Sequence, residues 1–193
     1  SMGRTMRFAG RTSSGNTPSS DLVGSDMAIR KLNHAVLWVR DAQRSKDFYV
    51  DVMGFEVVKD LGGAVFLGAP KSDSDHDLGL FTVGEDADPT RTGRGPGRGS
   101  VGLYHLAWEV ETLGELVALR ARLADVGALV GESDHGVTKS LYVHDLDGIE
   151  FEVLWQVPLE LLTEADTNVR TAPLDLDAEL ERFGSTLVRA DYG

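Results

Sequence analysis

LNHAVLWV (32–39) has strand-like residues in near alternation. The stretch after it, DAQRSKDFYVDVM (41–53), reads as a helix closed by Gly54, where the chain needs positive φ. FEVVK (55–59), AVFLG (64–68) and DLGLFTV (77–83) then read as strands, with Gly62-Gly63 as a turn. The same series returns further on. LYHLAWEV (103–110) is followed by the helical TLGELVALRARLADV (112–126), by Gly127, and by the strand-like ALVG (128–131), KSLYVH (139–144) and IEFEVLW (149–155). Asp147-Gly148 is a strong hairpin signal before the last of these. Leu32 matches Leu103, His34 matches His105 and Val39 matches Val110, each pair 71 residues apart. The pattern predicts a βαβββ unit present twice. A single unit has too few strands to close a sheet. Two side by side are expected to form an α+β fold, a curved eight-stranded mixed sheet around a cleft with the helices outside.

The repeats define a domain over 30–157, with repeat one at 30–84 and repeat two at 101–157. Residues 1–29, rich in Gly, Ser and Thr and without a period, read as a flexible arm. EDADPTRTGRGPGRGS (85–100) reads as a mobile loop. Its Arg91, Arg94 and Arg98 lie among glycines, but no GK[ST] ending marks a phosphate loop. The tail, 158–193, contains the predicted helix PLDLDAELERF, closed by Gly184 as a left-handed cap. It is expected to pack on the core or on a second subunit.

Composition narrows the chemistry. The chain has 193 residues, 41% of them hydrophobic, enough for a real core. Its formal charge of −12 argues against nucleic acid or an anionic membrane as a partner. No apolar run approaches the ~20 residues of a membrane span, and no apolar signal core opens the chain, so a cytoplasmic protein is expected. The absence of cysteine excludes disulfides, thiolate metal sites and cysteine nucleophiles. A metal would have to be held by carboxylates and by some of the five histidines, His34, His76, His105, His135 and His144.

His34 and His105 hold the same place in the two repeats, so pseudo-twofold symmetry is expected to set them opposite each other in the cleft. In the last strand Ile149, Phe151 and Val153 alternate with Glu150 and Glu152; the apolar set is expected to face the helices and the glutamates the cleft. Glu150, next to the turn, is expected to be solvated. Glu152 is expected to be a buried carboxylate, which is costly without a compensating cation. Two imidazoles and a carboxylate, His34, His105 and Glu152, suggest a facial triad that suits nonhaem Fe(II), with Mn(II) possible.

With these residues the sequence resembles the vicinal oxygen chelate superfamily over roughly 30–157. That superfamily includes glyoxalase I, fosfomycin-inactivating thiol transferases, bleomycin-binding proteins and type I extradiol ring-cleaving dioxygenases. His76, in SDHDLGLF, is similar to the His-Asp-hydrophobic strand of the extradiol enzymes, whose histidine is an acid–base residue. DHGVTKSLYVHDLDGIEFE is similar to the pattern His-Gly, Tyr, Asp-x-x-Gly and metal Glu, filled by His135-Gly136, Tyr142, Asp145, Gly148 and Glu152. The turn reads Asp145-Leu146-Asp147-Gly148-Ile149 where the usual form is Asp-Pro-x-Gly-Asn. The resemblance implies a one-domain, Fe(II)-dependent extradiol dioxygenase. His34, His105 and Glu152 would hold the metal, and His76, His135 and Tyr142 would be catalytic. Its partners would be a small aromatic diol, O2 and further copies of itself. His144 reads as a strand-end surface residue, and Trp38, Phe66, Trp108 and Trp155 as candidates for shaping the cavity. A glyoxalase-like isomerase, a thiol transferase and a non-catalytic ligand-binding module remain as alternatives. The first of these generally wants a fourth ligand from the last strand of repeat one, where the only carboxylate is Asp77.

Overall fold

The computed structural model describes residues 29–88, 102–168 and 171–188. The expected arm, apart from residue 29, and most of the expected 85–100 loop with its three arginines lie outside these residues. The chain divides into Ser1–Leu32 and Asn33–Gly193. Of the first, 29–32 are described and form neither helix nor strand. Every helix and strand among the described residues belongs to the second.

Both repeats fold as βαβββ modules. Module one runs β1 (Ala35–Val39), α1 (Ala42–Asp51), β2 (Glu56–Asp60), β3 (Ala64–Gly68) and β4 (Leu78–Thr82). Module two runs β5 (Leu106–Glu109), α2 (Leu113–Asp125), β6 (Leu129–Asp134), β7 (Thr138–His144) and β8 (Glu150–Gln156). Each module makes a four-stranded mixed sheet, in the orders β1-β4-β3-β2 and β5-β8-β7-β6. The first strand lies parallel to the last in both. The correspondence extends to irregularities: register shifts between Val57 and Lys59 in β2 and between Leu129 and Gly131 in β6. The eight strands are thus shared equally between two sheets, and no strand pairing joins β1 to β5 among the described residues.

Local chemistry sets the element ends. Asp41 caps α1 by accepting from the Gln43 and Arg44 N–H groups. Thr112 and Glu115 form a reciprocal capping box on α2. In the β7–β8 turn, Asp145 Oδ1 accepts from the N–H groups of Asp147 (2.9 Å) and Ile149 (2.8 Å), and Gly148 takes φ +78°.

The buried core spans both modules. Phe151 and Val153 of β8 face the helix side, as the alternation predicts. Phe151 is 1% exposed and packs against Phe48 and Tyr49 of α1 at centroid distances of 6.4 and 6.0 Å. Polar contacts also link the modules, two of them at the β7–β8 turn. Arg40 bonds Asp147 through its backbone N–H (2.9 Å) and Nη1 (2.8 Å), and Tyr49 Oη donates to Asp145 Oδ2 (3.2 Å). Burial and the Asp145 carboxylate hold the Tyr49 hydroxyl well above its usual range.

The tail packs on module two. Its principal helix, α4 (Leu176–Phe183), follows the short α3 (Glu164–Asn168). Phe183 meets Trp155 edge-on at 5.3 Å, and Glu179 reaches the buried Lys139 at 3.2 Å. Gly184 ends α4 at φ +75° but with ψ 173°, so the expected positive φ is present in an extended rather than a left-handed helical form. Among the described residues no helix is long and apolar enough to cross a membrane.

Candidate functional site

The parallel pairs bring chemistry to the starts of the strands. On module two, β5 runs beside β8 with Ala107 opposite Glu152 and Leu106 opposite Phe151. His105, one residue before β5, therefore shares the face of Glu150 and Glu152. Its Nε2 lies 3.3 Å from Glu152 Oε2 and its Nδ1 3.7 Å from Glu150 Oε1. That Nδ1 is buried without a hydrogen-bond partner among the described residues.

Glu150 departs from expectation. It is 8% exposed, not solvated, because His105, Tyr104 and His144 surround it. His144 pairs with Glu150 across β7–β8, keeps its Nε2 3.5 Å from Oε2, and is 44% exposed at the strand end.

On β7, Tyr142 stands directly opposite Glu152. Its Oη shares a 2.9 Å hydrogen bond with His135 Nε2. His135 is placed by a tight turn: Gly136 has φ +75°, and its N–H donates to Asp134 Oδ1 at 2.6 Å. Thr171 of the tail approaches the other side of the ring, Oγ1 to Nδ1 3.5 Å. Burial first, then the charges of Glu152 and Glu150 and the nearby Tyr104, push the Tyr142 hydroxyl above its ordinary value. It is a neutral hydrogen-bond donor at neutral pH.

Module one carries a matching pair. His34 and His76 stack at 4.5 Å, tilted 34°. Each Nδ1 is held by the preceding residue, His34 by Asn33 Oδ1 and His76 by Asp75 Oδ2, both at 2.8 Å. When Nδ1–H donates in this way, Nε2 carries the lone pair that a ligand or base needs. Phe66 meets His76 edge-on at 5.1 Å, and Trp38 meets Phe81 at 5.8 Å. Of the four candidate cavity-shaping aromatics, Trp38 and Phe66 belong to this side. Trp108 packs on Phe55 at 5.1 Å, and Trp155 is fully buried under the tail helix.

The structure therefore brings together His105, Glu152, Tyr142 and His135 on one module and His34 with His76 on the other. Among the described residues, no three His, Cys, Asp or Glu side chains converge on one point. The donor set nonetheless fits a divalent ion. His105 Nε2 and Glu152 Oε2, 3.3 Å apart, are near the roughly 3.0 Å between adjacent ligands of an octahedral ion with bonds of about 2.1 Å. Glu152, 8% exposed, is a carboxylate whose burial a cation would compensate.

Sequence reasoning missed three neighbours. Tyr104 stacks on His105 at 4.7 Å and bonds Glu150. The repeat holds a signal for it, since Asn33 occupies the same place before His34. Thr171 had no signal, because it arrives from the tail. The third is Gly79. Val36 pairs with Gly79 as Ala107 pairs with Glu152, and Val36 and Ala107 are related by the offset that relates His34 to His105. The module-one counterpart of Glu152 is thus a glycine. Asp77, the carboxylate considered for that role, is committed elsewhere: Oδ2 accepts from Ala69 N–H (2.8 Å) and Oδ1 from Ser72 Oγ (2.6 Å).

A family model described as the glyoxalase/bleomycin resistance protein/dioxygenase superfamily matches residues 31–153. A catechol-2,3-dioxygenase of Bacillus subtilis (strain 168) is 30% identical over 156 residues, 79% of this chain and 52% of that protein. A biphenyl-2,3-diol 1,2-dioxygenase of Rhodococcus globerulus is 34% identical over 119 residues, 61% of this chain and 59% of the relative. The chain spans between half and three-fifths of the length of these curated relatives. Among solved structures, a glyoxylase/bleomycin resistance protein/dioxygenase domain from Frankia sp. EAN1pec aligns with a TM-score of 0.52 at 23% identity. The alignment covers 67% of this chain and 94% of that one, a likeness of fold alone.

Proposed function

Because the chain belongs to the glyoxalase/bleomycin resistance protein/dioxygenase superfamily, we propose that it is an extradiol dioxygenase that opens the ring of a catechol-type substrate beside its two hydroxyls. The observation that carries this reading is Gly79. A fourth protein ligand at the place symmetric to Glu152 would suit a glyoxalase-like isomerase, and here no side chain stands there. With His34, His105 and Glu152 as the ligands, the remaining positions stay open for a diol and O2. Both curated relatives carry diol dioxygenase names.

Fe(II), with Mn(II) as the alternative, would when bound supply a centre that takes diol and O2 together and passes electron density between them. The chain's own groups bind and move protons. Tyr142 Oη, neutral and fixed by His135 at 2.9 Å, donates a hydrogen bond to a substrate oxygen. His135 serves as the proton store behind it. His76, with Nδ1 held by Asp75, offers Nε2 for proton exchange on the module-one side.

The reading requires His34 to meet His105 and Glu152. β1 and β5 are edge strands of their sheets, and Val36 and Trp38 on β1 are 49% and 68% exposed. The proposal therefore includes a homo-oligomer in which a second copy lies along these edges and completes the ligand set.

The test is oxygen uptake after anaerobic loading with Fe(II), over a panel running from catechol to bicyclic diols. Uptake with a yellow ring-fission product is expected. His105→Ala and Glu152→Ala should lose bound metal as well as uptake. A fully loaded protein that consumes no oxygen with any diol overturns the reaction and points to redox-neutral chemistry in the same superfamily.

A further inference from the structure

The side of the second sheet away from Glu152 holds a cavity of about 270 Å³. Trp108 and Val153, paired across β5 and β8, point to it, whereas Ala107 and Glu152, paired one step along, point the other way. Met53, Phe55, Pro70 and Leu119 complete its apolar wall, so it lies between the end of α1, the loop after β3, and α2. An apolar cavity of roughly 150 Å³ suffices for a benzene ring, so this one has room for a bicyclic ring system. Phe55 and Trp108 meet edge-on at 5.1 Å and 80°, leaving an aromatic wall against which a flat ring packs well.

The rim decides what the ring carries. Glu109, Glu111, Glu115, Lys71 and Arg122 line it. Lys71 is spent on Glu111 and Glu115, bonding Glu115 at 3.0 Å. Glu115 is further occupied in the α2 capping box. Arg122 lies at the cavity in the last turn of α2, and among the described residues no carboxylate is within ion-pair distance of it. The rim thus holds three carboxylates and two cations, and Arg122 is the cation that no described carboxylate pairs; a guanidinium beside an apolar pocket is the pairing that recognises an organic carboxylate with an apolar body.

We propose that this cavity is a second small-molecule site, separate from the Glu152 face, which takes an aromatic monocarboxylate with its ring against Trp108 and Phe55 and its carboxylate on Arg122. The site needs no metal and does not rest on the dioxygenase reading.

Isothermal titration of the full chain with 2-naphthoate, and with the neutral 2-naphthalenemethanol, tests it. Wild-type protein should bind the acid at one site per chain, at least about tenfold tighter than the alcohol. Arg122→Gln should remove that preference while leaving the alcohol unchanged. Ala118→Phe, at an exposed position of the cavity wall, should abolish binding of both, and Met53→Trp should do the same from the opposite side. Circular dichroism of each variant establishes that it folds. No naphthoate binding by wild-type protein, equal binding of acid and alcohol, or undiminished binding by the two folded filling variants overturns the proposal. The last result would place the ring elsewhere, such as the Trp38–Phe81 face.

Discussion

Tyr142 and Glu152 face each other directly across the antiparallel pair of β7 and β8. The hydroxyl bonded to His135 and the carboxylate beside His105 consequently occupy one face of one sheet. The pair proposed to handle protons and the pair proposed to hold the metal are thus set by backbone register.

Tyr142→Phe should lower turnover by roughly 10²–10⁴-fold, the usual contribution of positioned proton transfer, while metal content stays unchanged. His135→Gln should do the same. Because the two share one hydrogen bond, the double variant should be little worse than either single one. Additive losses in steady-state kinetics would separate their roles.

His76→Phe should keep stoichiometric metal and lose most turnover. The side chain packs on His34 in a tilted stack and meets Phe66 edge-on, so phenylalanine preserves the packing and deletes the exchangeable proton. Metal analysis alongside oxygen uptake checks this. A rate near wild type removes His76 from the chemistry.

Arg182 clasps Asp166 with two hydrogen bonds of 2.6 Å. These bonds, aided by Thr163, hold the Asp166 carboxyl well below its ordinary range. A depressed acid adds stability above its unfolded value of about 3.9 and loses it as pH falls toward the folded value. Arg182→Ala should therefore cost about 1 kcal/mol at pH 7, a modest figure because Arg182 is 35% exposed. Urea titrations should show the difference shrinking below about pH 4. The contact of Arg182 with the Phe183 ring, 4.3 Å to the centroid, leaves a small pH-independent remainder.

Gly114 in the first turn of α2 donates its N–H to Ser185 O at 3.0 Å, and a Cβ there would lie 2.6 Å from that oxygen. Helix propensity alone makes Gly→Ala favourable by about 0.8–1 kcal/mol. The backbone clash should reverse the sign, so Gly114→Ala should lower Tm and expose the tail to protease. Gly63→Ala, with nothing within 4 Å, is the control and should stay within about 0.5 kcal/mol of wild type.

The modules were legible because their information is local. Alternation in IEFEVLW put Phe151 and Val153 on the helix side, and the structure places them there. Gly54, Gly127 and Gly148 all take positive φ where helix or turn demanded it. Burial of Glu150 was not legible, since it depends on Tyr104 and His105 arriving from beside β5 and on His144 across the hairpin. Gly79 became visible as the counterpart of Glu152 only through strand register, because the offset grows between the first strand and the last of the repeat. The association of His105 with Glu152 follows from parallel pairing within one sheet, whereas His34 and His76 meet just before their strands begin. How two sheets meet leaves no period in a sequence.

Arg40 and Asp147 set a limit on modular engineering. The turn that delivers Glu150 and Glu152 is fastened to the exit of β1 by Arg40 and to α1 by Tyr49. A chimera that grafted module two onto a foreign module one would carry the glutamates but abandon the anchorage of their turn. Recombining halves among relatives thus means transplanting Arg40, Tyr49, Asp145 and Asp147 as a single set.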